Sequence, residues 1–537
     1  MKKRILYSLL LVAAAAFGFS SCLDENPKDQ MPEDEAYKDP TMIYLNTVAN
    51  LYTMIGSADG GSGLAGTDRG LYDLITFTTD EAVIPKRGGD WDDGGLWMNL
   101  FKHNWGVTND LIKNPWNYLY KVIGMTNQSL DKLNSLIEAD PSNIYLPKYK
   151  AEVQALRAMY YYYLLDMYAR VPIVESSSVT IADVKQSSRS EVFAFVKKEL
   201  EASLPYLSTA RSANPGEYYG RVTRPVAFYL LAKLALNAQV YADDDWLDNG
   251  GIPDGSTDFS IDGKNMTCWE ATVAYCDSIT DLGYELEPKF STNFSLANEN
   301  SKENIFVIPM DPTLYKSRFM YLVRTRHYEQ GKAYDQDGWN GSSATKEALA
   351  VFRKDGGDPR LPLTFYMSTV TGPTGQLIMN GNVPLEYKPD AIAVDVSGTP
   401  DEKTAGARWA KYETDPTALA GGQLVHNDYV LYRYADVLLM RSEALVRQGK
   451  DGTPDLMTVR NRVGASARVA TLDNILDERL LELAWEGVRR QDLVRYGKFN
   501  IAITDRPATG PYVNVFSIDT SILNLNTNLT QNPGYTN

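Results

Sequence analysis

Apolar residues recur at three- and four-residue spacing over several long stretches, the pattern of helices with one buried face. It predicts helices over residues 41–55, 116–139, 148–169, 190–203, 224–242, 269–282, 429–448, 456–463 and 474–496. The helix starts carry matching signals. Ser190 and Glu191 stand in one first turn, where a side-chain oxygen and a negative charge satisfy unpaired N–H groups. Pro225 occupies an N1-like position in another, where its missing N–H is not needed. Between 284 and 425 the periodicity gives way to short apolar runs, such as residues 305–310, among many Gly and Pro. Loops this long are usually packed or functional. Residues 227–241 and 434–446 mix small and aromatic side chains as tetratricopeptide helices do, although no clean period of about 34 residues repeats. The expected fold is mainly α: degenerate tetratricopeptide-like helix pairs form an α-superhelical scaffold, wrapped by long loops with a few short strands.

The first residues follow another logic. Lys2, Lys3 and Arg4 precede an apolar run from Ile5 to Phe19, and Ser20, Ser21 and Cys22 follow. The run falls short of the roughly 20 apolar residues of a spanning helix. A charged start, a short apolar core and a small-residue exit read as a removable export signal. The exit resembles a bacterial lipobox, with Phe19 where Leu is usual. Cys22 is then the lipidated first residue of the mature chain. Asp24 and Glu25 behind it resemble a surface-export signal. The expected organisation is a signal peptide at 1–21, the lipidated Cys and a polar tether at 22–40, and one globular unit at 41–537 with parts 41–285 and 286–537. No later apolar stretch reaches spanning length, so membrane attachment is through the lipid only.

Formal net charge is −15, and loss of the leader's three positive residues makes it more negative. This argues against nucleic acid, which wants a basic footprint, and against docking on anionic lipid. Cys268 and Cys276 lie on one predicted helix, about 12 Å apart at its rise per residue. A disulfide needs under about 7 Å, so two buried thiols are expected.

Candidate chemistry is concentrated in loops. Residues 80–105 set Trp91, Trp97 and Trp105 among Gly, Asp and Arg, and tryptophans on such a loop suggest a partner. Catalytic signals are thin. His103, His327 and His426 are scattered, and no HExxH, GxSxG or CxxC pattern occurs. Glu478, Glu482, Glu486, Arg489, Arg490, Asp492 and Arg495 form a charged run. It reads first as an ion-pair network locking the C-terminal helix to the loops, and second as a partner site. Arg157 and Tyr160–Tyr163 read as core.

Several phrases together resemble the SusD/RagB family of outer-membrane lipoproteins. They are CLDENP at the lipidated entry, residues 156–174, 223–244 and 301–309, the DPR at 358–360, residues 429–445 and, most strongly, residues 477–499. The resemblance implies a non-enzymatic protein that captures oligosaccharide at the cell surface and delivers it to a SusC-like TonB-dependent transporter. A peptide-binding, RagB-like role is the alternative within the family, and a surface hydrolase the alternative outside it. Sugars are held on aromatic faces, with Asp, Asn and Arg bonding the hydroxyls. The early loop offers Trp91 and Trp97 as platforms, with Asp80, Arg87, Asp90 and Asp92. The irregular middle offers Tyr334, Trp339, Asn340, Arg408 and Trp409. Each tryptophan could instead plug its loop onto the helices, and Trp105 and Trp116, which adjoin helix, lean that way. No cofactor is expected. Structural calcium, which occurs in some members, is given no position: neither Asp243–Asp245 nor Asp335–Asp337 has the spacing of a calcium loop.

Overall fold

The computed structural model describes residues 33–56, 62–65, 68–248, 250–251, 259–261 and 263–536. The expected signal peptide, Cys22 and the tether up to residue 32 lie outside the described residues. The chain forms two compact units, one ending at Asn46 and one running from Thr47 to Asn537. The described part of the first carries short helices at Glu33–Ala36 and Pro40–Tyr44, the latter capped by Asp39 accepting the Met42 N–H at 2.9 Å. All that follows concerns the second unit.

Its N-terminal half is helix on helix: α1 (Asp110–Ala139), α2 (Leu146–Tyr168), α3 (Arg189–Ser203), α4 (Arg224–Leu236) and α5 (Cys268–Asp281). Sequential neighbours pair, α1 with α2, α2 with α3, and α4 with α5. α1 begins six residues before its expected start, capped by Asn109, whose side chain accepts the Leu111 N–H at 2.9 Å. Pro115 masks that start, because proline fits a helix only near its beginning. α2 is enclosed on nearly every side. Tyr160, Tyr161, Tyr162 and Tyr163 are all buried, and Arg157 donates to Glu199 on α3 at 2.9 Å. Both were expected as core. Cys268 and Cys276 are buried free thiols.

In the C-terminal half a buried two-stranded pair joins a group of longer helices, with shorter helices and strand pairs around them. β1 (Asn304–Ile308) runs antiparallel to β2 (Tyr429–Arg433), with Val307 opposite Val430 and every residue buried. α6 (Tyr434–Arg447) follows β2 directly. The helix expected from residue 429 therefore starts five residues late. Tyr-Val-Leu-Tyr is rich in strand-favouring side chains and is buried on both faces, where short apolar runs cannot be told from helix by periodicity. α6 packs on α5, α7 (Thr453–Arg462) and α8 (Leu472–Leu483).

The helix expected over 474–496 is broken. α8 ends at Leu483 and α9 spans Arg489–Arg495, with Trp485 at φ 61° and Gly487 at φ 75° between them. The break turns Glu486 into the interior, where it pairs with Lys411 and, at 2.7 Å, with Arg433. The helix expected over 224–242 is present with one interruption: α4 ends at Leu236, and after Asn237, whose side chain donates to the Lys233 carbonyl at 2.8 Å, a further turn spans Ala238–Tyr241.

The charged run is a buried ion-pair core. Arg360 reaches Glu478 and Glu482, each at 2.7 Å. Arg433 reaches Glu303 at 2.8 Å and Glu482 at 2.5 Å, and Arg462 also binds Glu482. Arg489 holds Asp80 at 2.7 Å and Arg495 holds Glu443 at 2.7 Å. For Glu443 and Glu482 desolvation alone would favour the neutral form, but the guanidiniums around them win. Glu443 is held down to about 2 and Glu482 well below the usual carboxylate range.

Candidate functional site

The early loop and the irregular middle meet on one surface. Ala82–Val83 pairs antiparallel with Ser343–Ala344, and beyond it Lys86 exchanges backbone bonds of 3.0 Å with Val394 and Val396. The chain then turns tightly. The Arg87 N–H donates to the Asp90 carbonyl at 3.0 Å, and the Asp90 N–H returns to Arg87 at 3.2 Å. That turn throws Trp91 forward at φ 58°. Its indole N–H donates to the Trp339 carbonyl at 2.8 Å. Its ring lies on Gly341, where an added Cβ would sit 2.7 Å from the indole and 3.0 Å from the Arg324 carbonyl. Only glycine lets the tryptophan seat so closely. Trp339 is the freer ring. It is half-buried, and its side chain makes no hydrogen bond or ring contact among the described residues.

Polar groups flank this pair. Asp90 accepts from Lys403 at 2.9 Å and from the Tyr328 hydroxyl. Those donors hold its carboxyl below the usual range, against a desolvation that would raise it. Asp92 pairs with Lys86 at 2.8 Å. Tyr334 lies further along the same segment, half-buried, with the Arg326 guanidinium 4.9 Å from its ring centre and its hydroxyl 3.3 Å from the Thr371 carbonyl.

The other predicted contacts lie beneath the surface. Trp97 is 3% exposed, gives its N–H to Asp93 at 2.7 Å and meets Trp91 edge-on at 6.0 Å. Arg87 has no exposed surface and donates to the Glu402 and Ala405 carbonyls and the Ser343 hydroxyl, each at 2.9 Å. Arg408, equally enclosed, shares Ser343 and donates to Asn340 Oδ1 at 2.9 Å. Asn340 is itself buried at φ 53°. Trp409 packs at a tilt against Trp485 in the core, with ring centres 4.5 Å apart. Asp80 is held by Arg489. A side chain with no accessible surface offers nothing to a solute, so in this structure Arg87, Asn340, Arg408 and Trp409 clamp the loops that carry Trp91 and Trp339. They looked like binding residues because sequence shows that an arginine sits in a loop but not which way it points. Tyr328 and Lys403, the donors to Asp90, were not singled out by the sequence. Both stand in polar segments whose only signal is distance from any helical pattern.

The histidines offer no relay. His103 is buried and pushed down to about 3, mainly by desolvation and then by Arg506, so it is neutral at physiological pH. His327 caps a short helix by accepting the Glu329 N–H at 3.1 Å. His426 meets Asp415 at 2.8 Å and Thr417 at 3.3 Å through the same Nδ1. A proton relay needs opposite ring nitrogens for the acid and the hydroxyl. Among the described residues no three His, Cys, Asp or Glu side chains converge as metal ligands, and no helix is long and apolar enough to cross a membrane.

Comparison with known proteins gives matches along the chain. Residues 302–535 match the family described as SusD family, and residues 75–236 match one described as starch-binding associating with outer membrane. The chain is 25% identical to the starch-binding protein SusD of Bacteroides thetaiotaomicron, over 99% of this chain and 98% of that one. It is 23% identical to a SusD-like protein of Bacteroides ovatus, over 91% and 82%. Among solved structures, a laminarin-binding SusD-like protein superposes with a TM-score of 0.67 at 22% identity, covering 92% of this chain and 99% of that one. Surface glycan-binding protein A from Bacteroides fluxus superposes at 0.70 and 18% identity, over 92% and 99%. The shared architecture is the mainly helical scaffold described above.

Proposed function

Because the chain belongs to the SusD family, we propose that it is a glycan-binding lipoprotein of the outer-membrane surface. It captures oligosaccharide and passes it to a SusC-like TonB-dependent transporter, without performing chemistry on it. One observation carries the reading: two tryptophans from segments about 250 residues apart in sequence are joined by a hydrogen bond at a half-buried surface, with Asp90, Asp92, Tyr328 and Lys403 around them. An aromatic face offers a pyranose a flat apolar partner, and the surrounding carboxylates and hydroxyl offer hydrogen bonds to sugar hydroxyls. Such a site binds through few contacts, which suits a protein that must release its cargo to the transporter.

Related proteins whose names state starch or laminarin binding support the glycan class. Cys22 would carry the lipid, with the acidic residues behind it directing export to the surface. Each acyl CH₂ buried in the bilayer contributes about 0.8 kcal/mol, so several chains hold firmly. Two experiments test the reading. A soluble form, residues 24–537, is offered to a broad saccharide array, where binding of at least one glycan without release of product is expected. The tagged full chain is purified from outer membranes, where it should bring down a large β-barrel. A chain that binds peptides and no saccharide would be the RagB-like alternative. A chain that releases sugar or peptide product would be an enzyme.

A further inference from the structure

A second cavity lies away from the tryptophan surface, beside the N-terminus of α3. It encloses about 100 Å³ and is lined by Arg189, Gln239, Asp243, Trp246, Gly250 and Arg495, among others. Arg189 is 1% exposed, and its guanidinium lies 5.6 Å from the Tyr241 ring and 5.7 Å from the Trp246 ring. Arginine carries five N–H donors and is almost never buried without acceptors. Yet Arg189 has no carboxylate partner and no hydrogen bond among the described residues, and its Nε is fully enclosed. The Trp246 indole N–H is likewise buried without an acceptor.

The neighbouring carboxylates are already engaged. Asp166 takes the Tyr241 hydroxyl at 2.8 Å and Arg490 at 3.0 Å. Asp244 takes the Ser190 N–H at 2.9 Å and its hydroxyl at 2.8 Å, at the helix start. Asp243 accepts the Asp245 N–H at 2.9 Å, and Arg495 is spent on Glu443 and Asp492. Desolvation lowers the Arg189 pKa to about 10, which still leaves it charged at neutral pH. A buried, unsatisfied guanidinium is costly, and a planar anion with two acceptor oxygens is the group whose shape matches its fork.

We propose that this cavity is a carboxylate site, in which the Arg189 guanidinium binds a small carboxylate and the Trp246 indole N–H donates to the same group. The carboxylate comes either from a free organic acid or from a uronic acid unit of a glycan. The site is separate from the tryptophan surface and does not rest on the function proposed for it.

Acetate, glucuronate and phosphate are each added to the soluble chain, with chloride as the control at equal ionic strength. The Trp246 indole N–H is followed by ¹⁵N-tryptophan spectra and identified by Trp246→Phe. Acetate is expected to move that signal and to raise Tm by about 2 °C at a hundredfold its Kd. Arg189→Gln should abolish both effects. Glucuronate acting where acetate does not would assign the sugar-borne source. If Arg189→Gln does not fold, Asp243→Asn provides the test: removing the charge beside the cavity should tighten acetate binding about threefold to fivefold. An indole signal unmoved by either carboxylate, a phosphate effect equal to that of acetate, or unchanged acetate affinity in Asp243→Asn would each overturn the proposal.

Discussion

The ion-pair core around α8 and the tryptophan surface around Trp91 use the same residue types for opposite ends. In the core, Glu482 is 0% exposed and is shared by Arg360, Arg433 and Arg462. At the surface, the Asp92 side chain is 46% exposed and meets one lysine. Two charges taken out of water together lose hydration that only near-complete pairing restores, so removing one partner is expensive. A charge left at the surface keeps its water, and its ion pair contributes little. Pairing does not mark function here: the more elaborate network locks the fold, and the groups with water still on them can meet a ligand.

Substitutions that touch one region and spare the other sharpen this contrast. The largest effect is expected from Glu482→Ala, which leaves three buried guanidiniums short of a partner. It should cost about 3–5 kcal/mol of unfolding free energy by urea titration. A loss under about 1 kcal/mol would mean that water reaches the network. Next is Trp339→Ala. With a half-buried side chain that makes no hydrogen bond or ring contact among the described residues, it should leave stability within about 1 kcal/mol while weakening glycan binding by about 2 kcal/mol, roughly thirtyfold in Kd. Equal losses in stability and binding would return Trp339 to a structural role.

Glu81 lies between the two regions, accepting the Trp485 N–H at 2.9 Å, and burial pushes its carboxyl up to about 8. The folded chain therefore holds a proton that the unfolded chain has already released, from pH about 4.5 to about 8. Through that window Glu81 makes stability fall as pH rises, by up to about 1.4 kcal/mol per pH unit. Glu81→Gln should flatten the slope by that component. A parallel profile in urea unfolding between pH 5 and 8 would contradict the assignment. The smallest effect is expected from Asp92→Asn, which breaks an exposed pair and should change stability by less than about 0.5 kcal/mol.

Much of the scaffold was legible in the sequence because long amphipathic helices carry their own signal. α2, α3 and α5 lie close to where the spacing puts them, and the family phrases fall on α2, α4, β1, β2, α6 and the α8–α9 corner. Two features of the C-terminal half escaped. Tyr429–Arg433 is too short and too buried for its period to show, and the corner at Trp485 and Gly487 follows from tertiary pull on Glu486, not from local preference. The site was legible only in outline. Sequence located the early loop and the irregular middle, and their tryptophans do meet. It could not separate Trp91 and Trp339 from Arg87 and Arg408, because the difference is orientation. Arg87 is turned inward by three acceptors drawn from residues 343, 402 and 405, all remote in sequence.

The most direct test is isothermal titration of residues 24–537 against plant, host and microbial polysaccharides, with Trp91→Ala and Trp339→Ala alongside. The account predicts that the native chain binds at least one glycan, that either substitution largely removes this binding, and that Asp92→Asn leaves it within a few-fold. Glycan binding that survives both tryptophan substitutions in folded protein would contradict it and move the site elsewhere on the surface.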